Sequence, residues 1–529
     1  MKIERDVAIP MRDGVRLFAN VYQPDDRQMH PVVLSVTPYS KDRTPDWISM
    51  FFMRLSGVNF GELDCSRWTG FESPDPLFWT GAAYNVVQAD VRGMHKSEGH
   101  AGVLTPTDAE DYAELIEWCA HQPWSTGAVG LCGVSYLAMS QWIAAARRPP
   151  GLKAIIPWEG ATDLLRELAY QDGVRESGFV NIWWKNRLKG GHNRRFSMAE
   201  DFLRERDAQP FDDDWWASKR PAVEMIDVPA LVCASWSDHG LHTRGSFLGF
   251  ERIGSTQKWL YTHGGRKWET FYSEEARAIQ QRFFDRFLKG IANGWEETQR
   301  VRLEVRQTLT QSVVRSETEW PLRNVAYTPL YLNAAIGTLE TKPPEQTDRI
   351  RYAVSKRESP DRASFIYRFA TETEITGSMT LKLWVSTDAG TDLDLFVKLR
   401  KFDPAGHEVF FYGYNGFAKD AVAKGWLRVS HRALDPQRSR RGMPWHSHLR
   451  AEPVQPDEIV RAEIEILASS TLFEAGSTLQ VDVLGHDADK YPAFRHHPTV
   501  NEGRHSIHTG GPYDSHLLVP VVGRAPQAT

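Results

Sequence analysis

The run Val129-Gly130-Leu131-Cys132-Gly133-Val134-Ser135-Tyr136-Leu137-Ala138-Met139-Ser140-Gln141-Trp142 decides how the chain is read. A short apolar stretch closes on a glycine and a lone serine follows. Met139, Trp142, Ile143 and Ala146 then share one helical face. Strand, sharp turn and helix make the setting of a nucleophile elbow, in which the serine Oγ stands clear of the sheet. Strand and helix nearly touch at such a turn, so the flanking residues must be small. Gly133 meets that need two residues before Ser135. The general pattern has a second glycine two residues after the serine, where this chain has Leu137; Ala138, one further on, is the small residue instead.

Upstream of this run, residues 3–9 and 15–22 alternate like antiparallel strands around an Asp13-Gly14 turn. Residues 31–36 read as a buried strand that opens into Thr37-Pro38-Tyr39. Residues 43–80 are irregular and rich in Trp, Phe and Gly, as long functional loops often are. A strand over 84–88 and a helix over 107–121 follow, the helix capped by Thr107 with Glu110 three residues on. Downstream, strands are expected at 152–157, 228–235 and 257–262, and helices near 242–252 and 274–290. Strands alternating with helices imply an α/β fold with a parallel sheet. Residues 160–225, with the pairs Trp183-Trp184 and Trp215-Trp216, are helical and show no strand pattern. From 301 onward the helices give way to strand-like runs broken by Gly, Pro, Asn and Asp, the pattern of an antiparallel sandwich or jelly roll. The expected division is 1–159 and 227–300 for the α/β domain, 160–226 for a helical cap, and 301–529 for the jelly roll.

With 529 residues the chain is too long for one core. Its 25% charged and 41% apolar residues are ordinary for a globular protein. The net charge of −5 points neither to nucleic acid nor to an anionic membrane surface. Four scattered cysteines without Cys-x-x-Cys spacing fit a reducing compartment. No apolar signal core opens the sequence and no run of about 18 apolar residues occurs, so a cytoplasmic protein is expected.

A serine hydroxyl becomes a nucleophile when a base removes its proton and a carboxylate orients that base. In serine hydrolases built on α/β sheets the chain order is serine, acid, histidine, the last two on loops after later strands. Asp238, in Trp236-Ser237-Asp238-His239-Gly240, and His263, in Thr262-His263-Gly264-Gly265, each follow an apolar run and fit that order. His239 and His242 share the acid's own loop and are set aside as the base; His121 precedes the serine. The oxyanion needs two donors. One is the backbone N–H of Tyr136. No His-Gly-Gly-Gly segment supplies the other, and the hydroxyl of Tyr39 is the natural substitute. Trp183, Trp184 and Phe60 are candidates to line the substrate pocket. His446-x-His448 and His505-x-x-His508 read as surface histidines, so no metal and no cofactor is expected.

At these residues the chain resembles the cocaine-esterase and X-prolyl dipeptidyl-peptidase family of serine hydrolases. The likeness runs nearly end to end. It covers Met11-Arg12-Asp13-Gly14-Val15-Arg16-Leu17, Thr37-Pro38-Tyr39, Asp90-Val91-Arg92-Gly93, Gly133-Val134-Ser135-Tyr136-Leu137 and Trp236-Ser237-Asp238. Further on it covers Phe283-Phe284-Asp285-Arg286-Phe287-Leu288-Lys289-Gly290, Phe473-Glu474-Ala475-Gly476-Ser477 and Asp514-Ser515-His516-Leu517-Leu518-Val519-Pro520. The resemblance implies an α/β-hydrolase domain with an inserted helical cap and a C-terminal jelly roll. It implies Ser135 as nucleophile, Asp238 as acid, His263 as base, and the Tyr39 hydroxyl beside the Tyr136 N–H in the oxyanion hole. It also accounts for Leu137, since the family's elbow often reads Gly-x-Ser-Tyr-x-Gly. The chain departs at Ala138, where glycine is usual, and at Trp259-Leu260-Tyr261-Thr262-His263, where Gly-Pro-Trp-x-His is common. The implied activity is hydrolysis of small acyl esters through an acyl-enzyme. The rivals are an X-prolyl dipeptidyl aminopeptidase, an α-amino-ester acylase with Glu159 as the lone amine anchor, and a carbohydrate-binding protein with an inactive hydrolase domain. No nucleic acid or membrane partner is expected, and a homo-oligomer is left open.

Overall fold

The computed structural model describes residues 1–42, 59–354, 361–487 and 494–523. The first part of the expected loop over 43–80 therefore lies outside the described residues.

Among the described residues, eight strands build the first sheet: β1 (Lys2–Pro10), β2 (Arg16–Gln23), β3 (His30–Thr37), β4 (Asn85–Asp90), β5 (Ser125–Val134), β6 (Leu152–Trp158), β7 (Ala230–Ser235) and β8 (Lys258–His263). They are hydrogen-bonded in the order β1-β2-β4-β3-β5-β6-β7-β8, with β1 and β2 antiparallel and the rest parallel. Every residue of β3, β4 and β7 is buried, as expected of central parallel strands covered on both faces. Side chains alternate between two cores. Val32, Leu34, Leu131 and Val232 face one side, while Val33, Val86, Cys132 and Cys233 face the other. The helices α1 (Pro106–Ala120), α2 (Tyr136–Ala145) and α3 (Thr243–Arg252) cover the first face, and α4 (Glu274–Lys289) covers the second. This is an α/β-hydrolase sheet. Among the described residues no helix is long and apolar enough to cross a membrane.

The start of α1 differs from expectation. Its cap is Thr105, not Thr107: Thr105 Oγ1 accepts from Asp108 N and the Asp108 carboxylate accepts from Thr105 N. Pro106 at the first helical position, where a missing N–H costs nothing, moves the start upstream.

Between β6 and β7 the chain forms several short helices, among them Phe202–Ala208 and Asp214–Ser218. It also forms a hairpin that the strand pattern does not announce. Tyr170–Gln171 pairs with Val174–Arg175 around Asp172-Gly173, both at positive φ (42° and 88°). Two-residue strands carry no periodicity; the Asp-Gly pair of a type I′ turn is their signal.

The C-terminal region is a two-sheet β sandwich. The long strand Thr373–Thr387 pairs with Val460–Phe473 and His516–Val522. The facing sheet joins Ala363–Arg368, Thr478–Leu484, Asp394–Phe402 and Ala423–Arg428. One apolar core fills the space between them. The expected boundary before residue 301 falls on a strand that serves both regions. β9 (Val301–Arg306) pairs in parallel with β8 at Leu260↔Val301 and touches Val460–Phe473 at Arg306↔Thr471. The histidines expected at the surface, His446, His448, His505 and His508, are all buried. His505 and His508 belong to the inner strand Arg504–Thr509, and His446 is held in a β-bridge to Leu434.

Candidate active site

The site forms at the carboxyl ends of β3, β5, β6, β7 and β8, the edge where parallel α/β sheets present their loops. Ser135 sits between β5 and α2 at φ 61° and ψ −116°, a conformation rare outside glycine. Its neighbours explain how the turn closes. A Cβ on Gly133 would lie 2.6 Å from Leu137 Cβ, and one on Gly160 would lie 3.0 Å from Ala138 Cβ. The small residue that the elbow needs beyond the serine is thus shared between Ala138 and Gly160.

Ser135 Oγ lies 3.0 Å from His242 Nε2. His242 stands at the entry to α3, on the loop that carries Asp238, and is buried. The expected base is elsewhere. His263 Nε2 lies 2.9 Å from Glu159 Oε1 and the ring stacks on Trp158. Glu159 is itself fully buried and also accepts from Ser235 Oγ at 2.6 Å. His263 is the last residue of β8; its Nε2 is taken by Glu159 and its Nδ1 has no hydrogen-bond partner.

Asp238 likewise faces a partner other than a histidine. Its Oδ2 accepts from Lys267 Nζ at 2.5 Å, while its Oδ1 and the Nδ1 of His242 are both buried without a hydrogen-bond partner. Lys267 is buried, which by itself would lower its pKa. Asp238, Glu159 and Glu72 together overcome that and raise it. Burial and then the Lys267 charge hold His242 well below the ordinary histidine range. Burial raises the Asp238 carboxyl to about 6 against the pull of Lys267.

Glu72 and Lys267 escape a reading by sequence order. Glu72 comes from the segment before β4, at φ 65°. Its carbonyl accepts from Val134 N and its Oε1 from Trp268 Nε1. Burial pushes its carboxyl up to about 8, with Lys267, Trp268 and Arg187 opposing. Lys267 follows β8 at the start of the short helix Lys267–Phe271, and no motif in the sequence marks it.

Tyr39 follows β3, as expected, and is buried. Its hydroxyl oxygen accepts from Trp183 Nε1 at 3.0 Å, which leaves its own proton free to donate. Burial and then Glu72 hold the phenol well above its usual pKa, so it stays neutral. The N–H of Tyr136 is the first of α2 and has no acceptor within the helix. Of the expected pocket residues, Trp183 reaches the site through Tyr39 and packs on Tyr136. Trp184 packs on Phe202 inside the cap. Phe60 packs on Trp268 and Phe71.

Two family matches cover most of the chain. Residues 13–266 match the X-Pro dipeptidyl-peptidase (S15) family, and residues 293–518 match the X-Pro dipeptidyl-peptidase C-terminal non-catalytic domain. Cocaine esterase from Rhodococcus sp. (strain MB1 Bresler) is 25% identical over 99% of both chains. The crystal structure of a CocE/NonD family hydrolase from Staphylococcus aureus is 41% identical, covers 98% of this chain and 93% of its own, and superposes with a TM-score of 0.94. An α-amino acid ester hydrolase, 17% identical with a TM-score of 0.74 over 98% of this chain and 96% of its own, shares the fold.

Proposed function

The chain belongs to the CocE/NonD family of serine hydrolases, and from that premise we propose that it hydrolyses carboxylic esters with Ser135 as nucleophile and His242 as its base. The observation that carries this reading is the 3.0 Å contact between Ser135 Oγ and His242 Nε2 at a serine held in the elbow conformation.

His242 Nε2 takes the Ser135 proton as Oγ attacks the ester carbonyl. The N–H of Tyr136 and the hydroxyl of Tyr39 donate to the oxyanion that forms. The tetrahedral species collapses, the C–O bond to the leaving alcohol breaks, and His242 returns the proton to that oxygen. Water then repeats the sequence on the acyl-enzyme and frees the acid. The imidazolium formed at each step needs a nearby anion. Asp238, on the same loop and with Oδ1 unpartnered, supplies it, while Lys267 fixes its other oxygen.

The carboxylates at the site favour an uncharged acyl group over an amine-bearing one. Glu159 is occupied by His263 and Ser235, Asp238 by Lys267, and Glu72 holds its proton below about pH 8. Both oxygens of Glu159 are engaged and Glu72 is protonated, while Asp238 is committed to Lys267 and, in this mechanism, to the His242 imidazolium, so the amine-anchor role considered for Glu159 loses its support.

The test compares wild type with Ser135→Ala on short- to medium-chain p-nitrophenyl esters and on Ala-Pro- and Gly-Pro-p-nitroanilide. The expected result is ester turnover that falls at least about 10³-fold in the variant, with no anilide cleavage. Ester turnover retained by Ser135→Ala would overturn the assignment. Strong anilide cleavage lost in the variant would make the enzyme an X-prolyl peptidase.

A further inference from the structure

Away from Ser135, the hairpin of the cap meets three histidines of the C-terminal region, His431, His446 and His448. We propose that Asp172, His446 and His448 form a binding site for a divalent transition-metal ion of the zinc type, joining the cap to the C-terminal region.

The donor atoms converge. Asp172 Oδ1 lies 3.2 Å from His446 Nδ1 and 3.4 Å from His448 Nε2, and the three ligand atoms lie within 4.8 Å of one another. Ligands about 2.0–2.1 Å from a tetrahedral zinc are separated by about 3.3 Å, so both measured distances match a tetrahedral edge.

The outer partners fit as well. Metal-bound histidines usually donate their second ring N–H to a carbonyl or another acceptor. His446 Nε2 lies 2.9 Å from the carbonyl of Glu463, and a carbonyl can only accept, so that nitrogen carries the proton. In the neutral ring, Nδ1 is then a lone pair aimed at the Asp172 carboxylate. A cation between them turns that repulsion into two bonds. His448 Nδ1 lies 3.0 Å from His431 Nδ1, and its Nε2, which has no hydrogen-bond partner, lies 3.4 Å from Asp172 Oδ1.

The backbone holds the acid in place. Asp172 occupies the tip of the tight hairpin, and its carbonyl accepts from Arg428 N at 2.9 Å. A second group of three such residues, Glu159, Cys233 and His263, lacks these features. Burial keeps the Cys233 thiol protonated, and Glu159 is already paired with His263 and Ser235.

The test uses the full chain without a histidine tag. The protein is stripped with a chelator, equilibrated with zinc chloride, desalted and analysed for metal; cobalt is loaded in parallel and read by its visible absorption. About one equivalent of zinc per chain, a tetrahedral cobalt spectrum and a zinc-dependent rise in melting temperature are expected. All three should be lost in Asp172→Asn and in His448→Gln. Folded wild-type protein that retains no metal would overturn the proposal. So would zinc retained equally by both variants, since it would then sit elsewhere. A wild type that retains no metal overturns the proposal even where a variant fails to fold, and His446→Gln replaces a variant that does.

Discussion

In the proposed mechanism Ser135 needs a neutral imidazole, and the surroundings of His242 keep that ring neutral. Burial and then Lys267 depress its pKa well below the ordinary histidine value of about 6.5. The base form is the active one, so a lowered pKa extends activity downward in pH. The acid limb of kcat/KM is expected to fall below about pH 6.5. Replacing Lys267 by Met removes the nearby positive charge that lowers the His242 pKa, and the pKa should rise. The acid limb of Lys267→Met should therefore move to higher pH. An unmoved limb would show that Lys267 does not act on the base. The serine is legible from its own neighbourhood, because Gly133, Ser135 and Ala138 carry the elbow in sequence. The base is not. Chain order points to His263, and only the folded loop after β7 brings His242 to the serine while Glu159 claims His263.

The elbow depends on how closely β5 and α2 approach. Gly133 has φ 156°, and an added Cβ would fall 2.6 Å from Leu137 Cβ, so Gly133→Ala must push strand and helix apart. Such overpacking costs about 1–3 kcal/mol. The expected outcome is a lower melting temperature together with a loss of ester turnover larger than the loss of stability explains. Full activity in Gly133→Ala would mean that the turn tolerates the shift. The order of strands and helices is legible in the sequence, since buried β3 to β8 are apolar runs and α4 has an apolar stripe. Pro106 displaces the start of α1, and the cap hairpin is too short to show a period.

At the scale of the whole molecule, the hydrolase sheet and the C-terminal sandwich meet around Arg306. This buried side chain, at the end of β9, donates to the carbonyls of Trp236, Val422 and Ser470 and to the hydroxyls of Ser469 and Thr471. Trp236 opens the loop that carries Asp238 and His242, so the seam also supports the proposed catalytic residues. Arg306→Leu would leave several buried acceptors unpaired, at a cost of about 1–3 kcal/mol for each. Calorimetry should show an earlier or divided unfolding transition, and ester turnover should fall with it. A single unshifted transition would show that the seam does not couple the two regions. The two-region plan is legible from the change of pattern near residue 301, but β9 belongs to both sheets, and no local signal marks a strand that does so.

The central claim is that His242 activates Ser135, and the rate at which a fluorophosphonate probe labels Ser135 tests it most directly. Wild type, His242→Asn and His263→Asn are compared, with the labelled peptide identified by mass spectrometry and folding checked by circular dichroism. The account predicts an adduct on Ser135 whose formation slows about 10²–10⁴-fold in His242→Asn. In folded His263→Asn it should slow far less. An adduct on another residue, or wild-type labelling in His242→Asn beside a silent but folded His263→Asn, would contradict it.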